Sequence, residues 1–266
     1  MYAQFLSAVG TSDSRTVERL ERRPVTGPLK DKIAIVTGSS RGIGRAIAER
    51  LGKDGATVVL TYYENARQAE EAARVIGNQS VAEQVDIRDL ASARELLRKV
   101  IDRFGRIDIL VNNAAGTNVF KPTELMTEEE YDSMFLITRG VYFTLQEAAR
   151  HMADNGRIVS ISTGGTTMAI PTGGAYAGSK AAIEQFSNGL AKEIGRRGIT
   201  VNTLSPGVTA TDGMVLDDEQ ATALVAQTAL GRLGQPGDIA AAVALLVSDD
   251  AHWITGQNIR ATGGIV

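Results

Sequence analysis

Tyr176 and Lys180 are the residues of this chain whose types and spacing best fit acid–base chemistry. They lie four positions apart in AYAGSK, so on one helix their side chains fall on the same face. A tyrosine hydroxyl with its ordinary pKa of about 10 is a poor proton carrier at neutral pH, but a neighbouring ammonium group lowers that pKa. We therefore expect Tyr176 to exchange a proton with a carbonyl or hydroxyl oxygen. Taken alone, the pair would more often be part of an ordinary surface helix.

A glycine-rich turn, TGSSRGIG at 37–44, comes earlier in the chain and follows the apolar run KIAIV. Glycines let the backbone turn sharply and approach a pyrophosphate without a Cβ in the way. The helix that follows presents free N–H groups and the positive end of its dipole. The turn therefore predicts a dinucleotide site rather than an ordinary strand–helix loop. The candidate contact residues in this turn are Gly38, Ser40, Arg41, Gly42, Ile43 and Gly44.

Arg41 and Tyr62 indicate that the dinucleotide is NADP(H). A protein that binds NAD usually places Asp or Glu at the end of the second strand, to hold the ribose 2′-hydroxyl. Here that strand ends VVLTYY, so Tyr62 stands where the acid would be. Arg41 can pair with a 2′-phosphate through its forked guanidinium group. Two alternatives stay open: Arg41 is simply solvated, or Glu64 serves NAD.

Strand-like and helical segments alternate from Lys32 onward and must position these residues. Runs such as KIAIVT, TVVLTY and IDILVNN are rich in Val and Ile, which is typical of buried parallel strands. Helical patterns lie between them, the two longest at 128–152 and 175–196. The alternation predicts the α/β class: one Rossmann-type domain over 29–266, with a doubly wound parallel sheet and helices on both faces.

Composition excludes several other functions. The chain of 266 residues has no cysteine, which excludes disulfides, a thiolate nucleophile and cysteine-ligated zinc, and is compatible with the cytoplasmic location that we expect. A net charge of -3 gives no global attraction to nucleic acid or to an anionic membrane. No apolar run is long enough to span a bilayer. His151 and His252 are not spaced as metal ligands, so no metal site is predicted.

The first 28 residues differ from the rest and predict a separate N-terminal tail. Asp13, Glu18 and Glu21 argue against a mitochondrial transit peptide, and a basic flank and cleavage pattern for secretion are missing. We expect a flexible or surface-packed tail, with an arm that contacts a neighbouring subunit as the alternative.

The order of TGSSRGIG, NNAAG and AYAGSK resembles the short-chain dehydrogenase/reductase family, from about Leu29 to the C-terminus. The resemblance implies an oxidoreductase that interconverts a carbonyl and a secondary alcohol by hydride transfer, with NADP(H) preferred over NAD(H). It also implies a homotetramer or homodimer. Within the family the chain looks most like 3-oxoacyl-(acyl-carrier-protein) reductases and small-ketone relatives. We therefore expect a small-molecule or acyl-thioester carbonyl substrate.

The resemblance also assigns roles to single residues. The family's serine, which hydrogen-bonds the substrate oxygen, corresponds by ungapped count to Thr163; Ser162 is second choice because strand alternation points it to the other face. Asp86 corresponds to the acid that accepts a hydrogen bond from the adenine amino group, although it could instead cap the next helix. The remaining implied cofactor contacts are Ile87, Asn113, Ala114, Gly116, Tyr176, Lys180, Pro206, Gly207, Val208 and Thr211.

Ile137 departs from the family pattern, because it stands where an asparagine normally holds a water molecule that links the lysine to solvent. The enzyme is then slower, or another group holds that water, or the protein binds NADP(H) without useful catalysis. The last possibility makes an NADP(H)-binding sensor or interaction protein the main alternative function, ahead of a related lyase or epimerase.

The segment 210–230 is the predicted substrate lid. Its apolar residues Met214, Leu216, Leu224 and Val225 could cover the substrate. A surface helix with one buried stripe is an equal alternative.

Overall fold

The computed structural model describes residues 26–214 and 216–265, which contain a seven-stranded parallel sheet. Most of the predicted tail, residues 1–25, lies outside the described residues. The strands are β1 (Ile33–Val36), β2 (Thr57–Tyr62), β3 (Val81–Gln84), β4 (Ile109–Asn112), β5 (Arg157–Ile161), β6 (Thr200–Pro206) and β7 (Asn258–Ala261). The helices are α1 (Gly42–Lys53), α2 (Ala66–Ile76), α3 (Leu90–Phe104), α4 (Glu128–His151), α5 (Gly174–Ile194), α6 (Asp218–Gln227) and α7 (Pro236–Val247).

Both faces of the sheet are buried, as the apolar strands predict. Successive residues of a strand point to opposite faces. Ala34 and Val36 of β1 pack in the core cluster that contains residues of α1 and α7. Ile33 and Ile35, which alternate with them, pack in the cluster that contains residues of α3, α4 and α5. The predicted doubly wound sheet with helices on both faces is therefore confirmed.

The strand order β3-β2-β1-β4-β5-β6-β7 places the two halves of the sheet on either side of a switch between β1 and β4. In open α/β sheets, ligands bind beyond the carboxyl ends of the strands at this switch. The glycine turn follows β1 and the NNAAG motif begins at the end of β4, so both predicted cofactor motifs lie at the switch.

The two long predicted helices are confirmed, with small shifts at their ends. The helix α4 begins at a capping box, in which Thr127 and Glu130 each accept a hydrogen bond from the other's backbone N–H. The helix α5 carries Tyr176 and Lys180 in its first turns, and a short 3₁₀ turn at Gly195–Arg197 follows it. These two helices pack against each other on one face of the sheet.

The predicted lid segment is partly helical. Asp217 caps α6 in a capping box with Gln220. Leu216, Leu224 and Val225 are half-buried, while Met214 is 36% exposed. The segment therefore presents apolar side chains that are only partly covered by the described chain.

Candidate functional site

A cavity of about 660 Å³ opens beyond the carboxyl ends of the strands at the sheet switch. Its walls come from the glycine turn, from the residues that follow β2 and β3, and from the stretch after β4. The predicted cofactor contacts that line it are Gly38, Ser40, Arg41, Gly42, Ile43, Gly44, Tyr62, Asp86, Ile87, Asn113, Ala114, Gly116 and Thr211. The structure thus brings together residues from most of the chain in one crevice.

The glycine turn fits a dinucleotide because side chains are excluded from it. Gly38 and Gly42 have φ angles of +62° and +59°, a backbone region that favours glycine. A Cβ atom at Gly38 would lie 2.8 Å from the Cα of Ala114, and one at Gly44 would lie 2.4 Å from the amide nitrogen of Asn113. The first residues of α1 line the cavity, so the free N–H groups of this helix are available to a phosphate group of a ligand.

Hydrogen bonds between the ends of β1 and β4 hold this turn in place. The side-chain amide of Asn113 donates to the carbonyl oxygens of Thr37 and Gly38, each at 3.0 Å. The hydroxyl oxygen of Thr37 accepts from the backbone N–H groups of Asn113 at 2.9 Å and Ala114 at 3.0 Å. Asn113 is therefore bound to the sheet through its side chain, and it lines the cavity as well.

Arg41, within the glycine turn, and Tyr62, at the end of β2, both line the cavity. Arg41 is exposed, and it forms no ion pair with any other residue in the described ranges. Glu64, the alternative that would serve NAD, also lines the cavity and is exposed. The guanidinium group of Arg41 is thus available to an anionic ligand.

Asp86 does not cap the following helix, so that alternative is wrong. The cap of α3 is Asp89, whose side chain accepts from the N–H of Ala91 at 3.0 Å. The Asp86 carboxylate instead accepts two hydrogen bonds from the guanidinium group of Arg88, each at 2.8 Å. This pairing is the main reason that the pKa of Asp86 lies below its ordinary value.

Tyr176 and Lys180 both lie beside the end of β5. The Nζ atom of Lys180 donates to the carbonyl oxygen of Ile161 at 3.4 Å. The lysine is fully buried, and this desolvation lowers its pKa to about 8. Burial has the opposite effect on Tyr176 and raises the pKa of its hydroxyl, with only a partial lowering by the Thr163 hydroxyl. The sequence-based expectation of a lowered Tyr176 pKa is therefore wrong for this structure.

Thr163, and not Ser162, contacts the tyrosine. The Thr163 side chain lies beside the Tyr176 hydroxyl and accepts a hydrogen bond from the N–H of Gly165 at 3.2 Å. Ser162 points away, as strand alternation predicts, and donates to the Glu184 carboxylate at 2.6 Å. The Tyr176 and Thr163 hydroxyl groups are thus neighbours at the start of α5, and the buried Lys180 lies one turn further along the same helix.

Ile137 fills apolar space between the cofactor cavity and α5. It is buried with Ile87 and Ala93 and packs against Ala114. A small cavity of about 10 Å³ beside Lys180 is lined by Ile137, Thr138 and other residues. The Thr138 hydroxyl donates to the carbonyl oxygen of Ser179 at 3.2 Å, so the polar group nearest to Ile137 along the helix is already hydrogen-bonded within the protein.

The C-terminal contacts separate into two groups. Pro206 ends β6, and Gly207 follows it so closely against β7 that a Cβ would lie 2.8 Å from the Cα of Thr262. Val208 accepts a hydrogen bond from the N–H of Gly234 at 2.9 Å. Of the four predicted residues in this segment, Thr211 alone lines the large cavity, where it lies near Gly42.

Phe120 and Arg88 are site residues that the sequence analysis missed. The ring of Phe120 lies 5.2 Å from the ring of Tyr176 between centroids, and the phenylalanine is 52% exposed. Arg88 lines the cofactor cavity. In the sequence, Phe120 is an aromatic residue shortly after NNAAG, and Arg88 is a basic residue shortly after β3. These positions alone do not show where the two side chains point.

Across residues 26–214 and 216–265, we find no helix long and apolar enough to cross a membrane. The same ranges contain no group of three or more His, Cys, Asp or Glu side chains that could hold a metal ion.

Comparison with known proteins agrees with this geometry. A family model described as enoyl-(acyl carrier protein) reductase matches residues 38–266. An uncharacterized oxidoreductase of Methylorubrum extorquens is 43% identical over 245 residues, which cover 89% of this chain and 98% of that protein. The hydroxynaphthalene reductase-like protein Arp2 of Metarhizium majus is 41% identical, over 90% of this chain and 96% of the relative.

A solved structure with the same fold contains a nucleotide. It is a short-chain dehydrogenase of Burkholderia cenocepacia in complex with NADP, and it is 38% identical in sequence. The similarity covers 90% of this chain and 99% of that one, with a TM-score of 0.85.

Proposed function

The chain belongs to the short-chain dehydrogenase/reductase family, and we propose that it reduces a ketone to a secondary alcohol with NADPH, with Tyr176 as the proton donor. The observation that carries this proposal is the convergence of the Tyr176 hydroxyl, the Thr163 hydroxyl and the buried Lys180 beside a crevice that fits a dinucleotide. The same groups serve the reverse oxidation, in which Tyr176 accepts the proton.

NADP(H) is the proposed cofactor, and the glycine turn with the N-terminus of α1 would hold its pyrophosphate. Arg41 would pair with the 2′-phosphate, because it is exposed, lines the cavity and is free of ion pairs within the described ranges. Tyr62 would leave room for that phosphate where an acid would repel it. The NADP complex of the Burkholderia relative supports the same choice. When bound, the cofactor supplies a hydride to the carbonyl carbon.

The protein's own residues handle the proton. As the carbonyl carbon receives the hydride, the carbonyl oxygen takes the proton from the Tyr176 hydroxyl, and the O–H bond of the tyrosine breaks. The Thr163 hydroxyl would hydrogen-bond the same oxygen. The charged Lys180 would stabilise the phenolate that remains and hold ribose hydroxyls of the cofactor. Because burial raises the Tyr176 pKa, this positive charge is needed to make proton loss favourable.

A ketone that carries a ring is the substrate that we favour. The exposed ring of Phe120 lies next to Tyr176, so a planar ring in the substrate could stack on it while its carbonyl contacts the tyrosine. The name of the Metarhizium relative, a hydroxynaphthalene reductase-like protein, supports this class. A 3-oxoacyl thioester is the second candidate; the matching family model, described as enoyl-(acyl carrier protein) reductase, supports an acyl-thioester substrate but does not name the 3-oxo group.

An NADP(H)-binding sensor with weak catalysis is the second candidate function, and Ile137 is the observation that favours it. Its apolar side chain neither binds a water molecule nor relays a proton, and it is buried beside the small cavity at Lys180. The intact group of Tyr176, Thr163 and Lys180 favours the reductase.

Exposed apolar side chains support the proposal of a homo-oligomer, most simply a homotetramer. One apolar surface lies on α4 and α5, where the exposed Tyr142 contacts Phe186 next to an open groove. Trp253, which is 90% exposed, and Leu245 on α7, which is 59% exposed, are further large apolar side chains at the surface. Large exposed apolar side chains of this kind are typical of protein–protein contacts.

The test is NADPH oxidation, with NADH in parallel, over cyclic aromatic ketones, acyclic ketones and 3-oxoacyl thioesters. We expect faster turnover with NADPH and with ring-bearing ketones. Binding of NADPH with no turnover of any carbonyl in the panel would favour the sensor instead.

A further inference from the structure

We propose that Lys121 sets substrate preference through its neighbour in the chain: the ion pair of Lys121 with Glu130 holds the Phe120 ring beside Tyr176. This inference rests on the proposed function, in which Phe120 stacks on a ring of the substrate. The residues involved come from three parts of the chain, namely the loop between β4 and α4, the first turn of α4 and the first turn of α5. Lys121 is thus a positioning residue, because it acts on the substrate through the ring of Phe120.

The ammonium group of Lys121 is bound to both carboxylate oxygens of Glu130. Its Nζ atom donates to Oε1 at 2.6 Å and to Oε2 at 2.8 Å. The side chains of Lys121 and Glu130 are 33% and 30% exposed, so solvent screens this pair only in part. Two charge-assisted hydrogen bonds restrict the lysine side chain more than a single contact would.

Glu130 is itself fixed to the start of α4. It closes the capping box of this helix, in which its side chain accepts from the N–H of Thr127 at 3.0 Å. Its own N–H donates to the Thr127 hydroxyl at 3.3 Å. A capping box sets the path by which the chain enters a helix, and α4 is packed in the core through residues further along. The carboxylate that binds Lys121 therefore belongs to a fixed part of the fold.

The backbone of Lys121 is attached to the loop that leads into α5. Its N–H donates to the carbonyl oxygen of Thr172 at 2.8 Å, two residues before this helix begins. Thr172 has a φ angle of +67°, which is rare for a β-branched residue. Such a conformation persists where the surrounding contacts hold it. Lys121 thus joins the start of α4, through its side chain, to the approach to α5, through its backbone.

Phe120 directly precedes Lys121, so the position of its ring depends on both attachments. The rings of Phe120 and Tyr176 lie 5.2 Å apart between centroids, with an angle of 51° between their planes. The phenylalanine is 52% exposed, so about half of its surface is free to contact a ligand. Without the ion pair, the backbone hydrogen bond to Thr172 would be the remaining attachment of Lys121, and the loop could rotate about it.

Lys121→Met tests this role, because methionine removes the ammonium group and keeps the backbone N–H that binds Thr172. We expect KM for ring-bearing ketones to rise about two- to fivefold, the usual worth of one partly exposed ion pair. KM for acyclic ketones, kcat and NADPH affinity should stay unchanged. Lys121→Arg, which keeps the charge, should restore KM. Glu130→Gln should reproduce the loss, since glutamine can still close the capping box.

A double variant separates positioning of the ring from a general effect on the loop. In a Phe120→Ala background, Lys121→Met should cause no further rise in KM, because the ring that it positions is gone. Lys99→Met is the matched control, since Lys99 is an exposed lysine of α3 that pairs with Glu83 and does not line the cofactor cavity. Thermal unfolding of each variant checks that it is folded.

Three results would overturn this inference and leave the proposed function intact. They are a KM in Lys121→Met equal to that in Lys99→Met, equal rises for ring-bearing and acyclic ketones, and a rise that persists undiminished in the Phe120→Ala background. An unchanged KM for ring-bearing ketones in Phe120→Ala itself would overturn the proposed substrate class, and this inference with it. Absence of any carbonyl turnover by the unmodified protein would instead overturn the proposed function.

Discussion

The glycine turn is fixed by backbone atoms, whereas the surface on the substrate side of Tyr176 is made by side chains of loops. At Gly38 and Gly44 a single added carbon would collide with Ala114 or Asn113. Beside Tyr176, by contrast, the ring of Phe120 is 52% exposed. This difference indicates that cofactor binding depends on the spacing of the glycines in TGSSRGIG. Substrate choice depends instead on a few side chains that can be replaced without disturbing the backbone.

The largest effect should come from Tyr176→Phe, which should remove turnover and leave the cofactor region intact. Loss of the proton donor should lower turnover by about 10²- to 10⁴-fold, because that is the usual contribution of general acid–base catalysis. NADPH binding, followed by fluorescence, should stay mostly intact. Tyr142→Phe is the control, since Tyr142 is an exposed tyrosine of α4. Turnover equal to that of this control would overturn the proposed mechanism.

Lys180→Met should stabilise the protein at neutral pH while it abolishes efficient turnover. Burial lowers the Lys180 pKa from 10.5 to about 8, so below pH 8 the folded protein holds a charge that would be better solvated in the unfolded chain. The free energy of unfolding at pH 7 should therefore increase by up to about 3 kcal/mol in the variant.

The difference in stability between Lys180→Met and the unmodified protein should decrease as the pH rises. Between pH 8 and 10.5 the folded state loses the lysine proton while the unfolded state keeps it, so the unmodified protein should become more stable relative to Lys180→Met as the pH rises. Chemical denaturation at several pH values measures this. Lys192→Met, at an exposed position of the same helix, should show no such trend; a gap that is constant from pH 7 to 10.5 would contradict the prediction.

Gly44→Ala should damage the cofactor region and leave the substrate region unchanged. Its Cβ would lie 2.4 Å from both the Asn113 amide nitrogen and the carbonyl oxygen of Gly38, and overpacking of this kind costs about 1–3 kcal/mol. We expect lower stability and weaker NADPH binding, measured by thermal unfolding and fluorescence titration. Gly189→Ala in α5, where nothing lies within 4 Å of the added carbon, should be neutral or slightly stabilising.

Phe120→Ala should act on substrate choice alone. Loss of an aromatic contact is worth about 0.5–1.5 kcal/mol, so we expect KM for ring-bearing ketones to rise about three- to tenfold while NADPH affinity is unchanged. Phe120→Tyr keeps the ring and should restore most of the affinity. Equal losses for ring-bearing and acyclic ketones would show that Phe120 supports Tyr176 and does not contact the substrate.

Ile137→Asn should give the smallest change in turnover. The substitution puts an amide beside the small cavity at Lys180, at a stability cost of about 1–3 kcal/mol if the amide stays unpaired. An increase in turnover would mean that the missing proton relay limits the enzyme, whereas unchanged turnover would mean that it does not. Ile137→Val, which stays apolar, is the control for packing.

The sequence predicted the cofactor region better than the substrate region, because backbone geometry fixes the first and side chains of loops form the second. Positive φ angles and close backbone contacts require glycine, so the glycine positions in TGSSRGIG indicate the conformation of the turn. Alternation along β5 was also enough to separate Thr163 from Ser162. The doubly wound sheet followed from apolar strands that alternate with amphipathic helices, and it is confirmed.

Side-chain direction and burial were not predictable from the residues alone. The Phe120 ring lies on Tyr176 only because a loop returns to α5, and Arg88 turns back onto Asp86 two residues away. The predicted direction of the Tyr176 pKa shift was wrong because burial of the hydroxyl, which raises this pKa, depends on the packed structure. The first and last of these effects depend on contacts between segments that are distant in sequence, and the Arg88 pairing depends on the conformation of a loop.

The hydrogen bonds between the end of β4 and the glycine turn constrain the order in which the protein folds. The hydrogen bonds of Asn113 and Ala114 join them to Thr37 and Gly38, which lie 75–77 positions earlier in the chain. Contacts at such separation form only after a long loop has closed. The nucleotide-binding turn is therefore completed late, when β4 has docked beside β1. A nascent chain that ends before β4 would contain the whole TGSSRGIG motif and still lack a site, so nucleotide binding during synthesis would report that the sheet has closed.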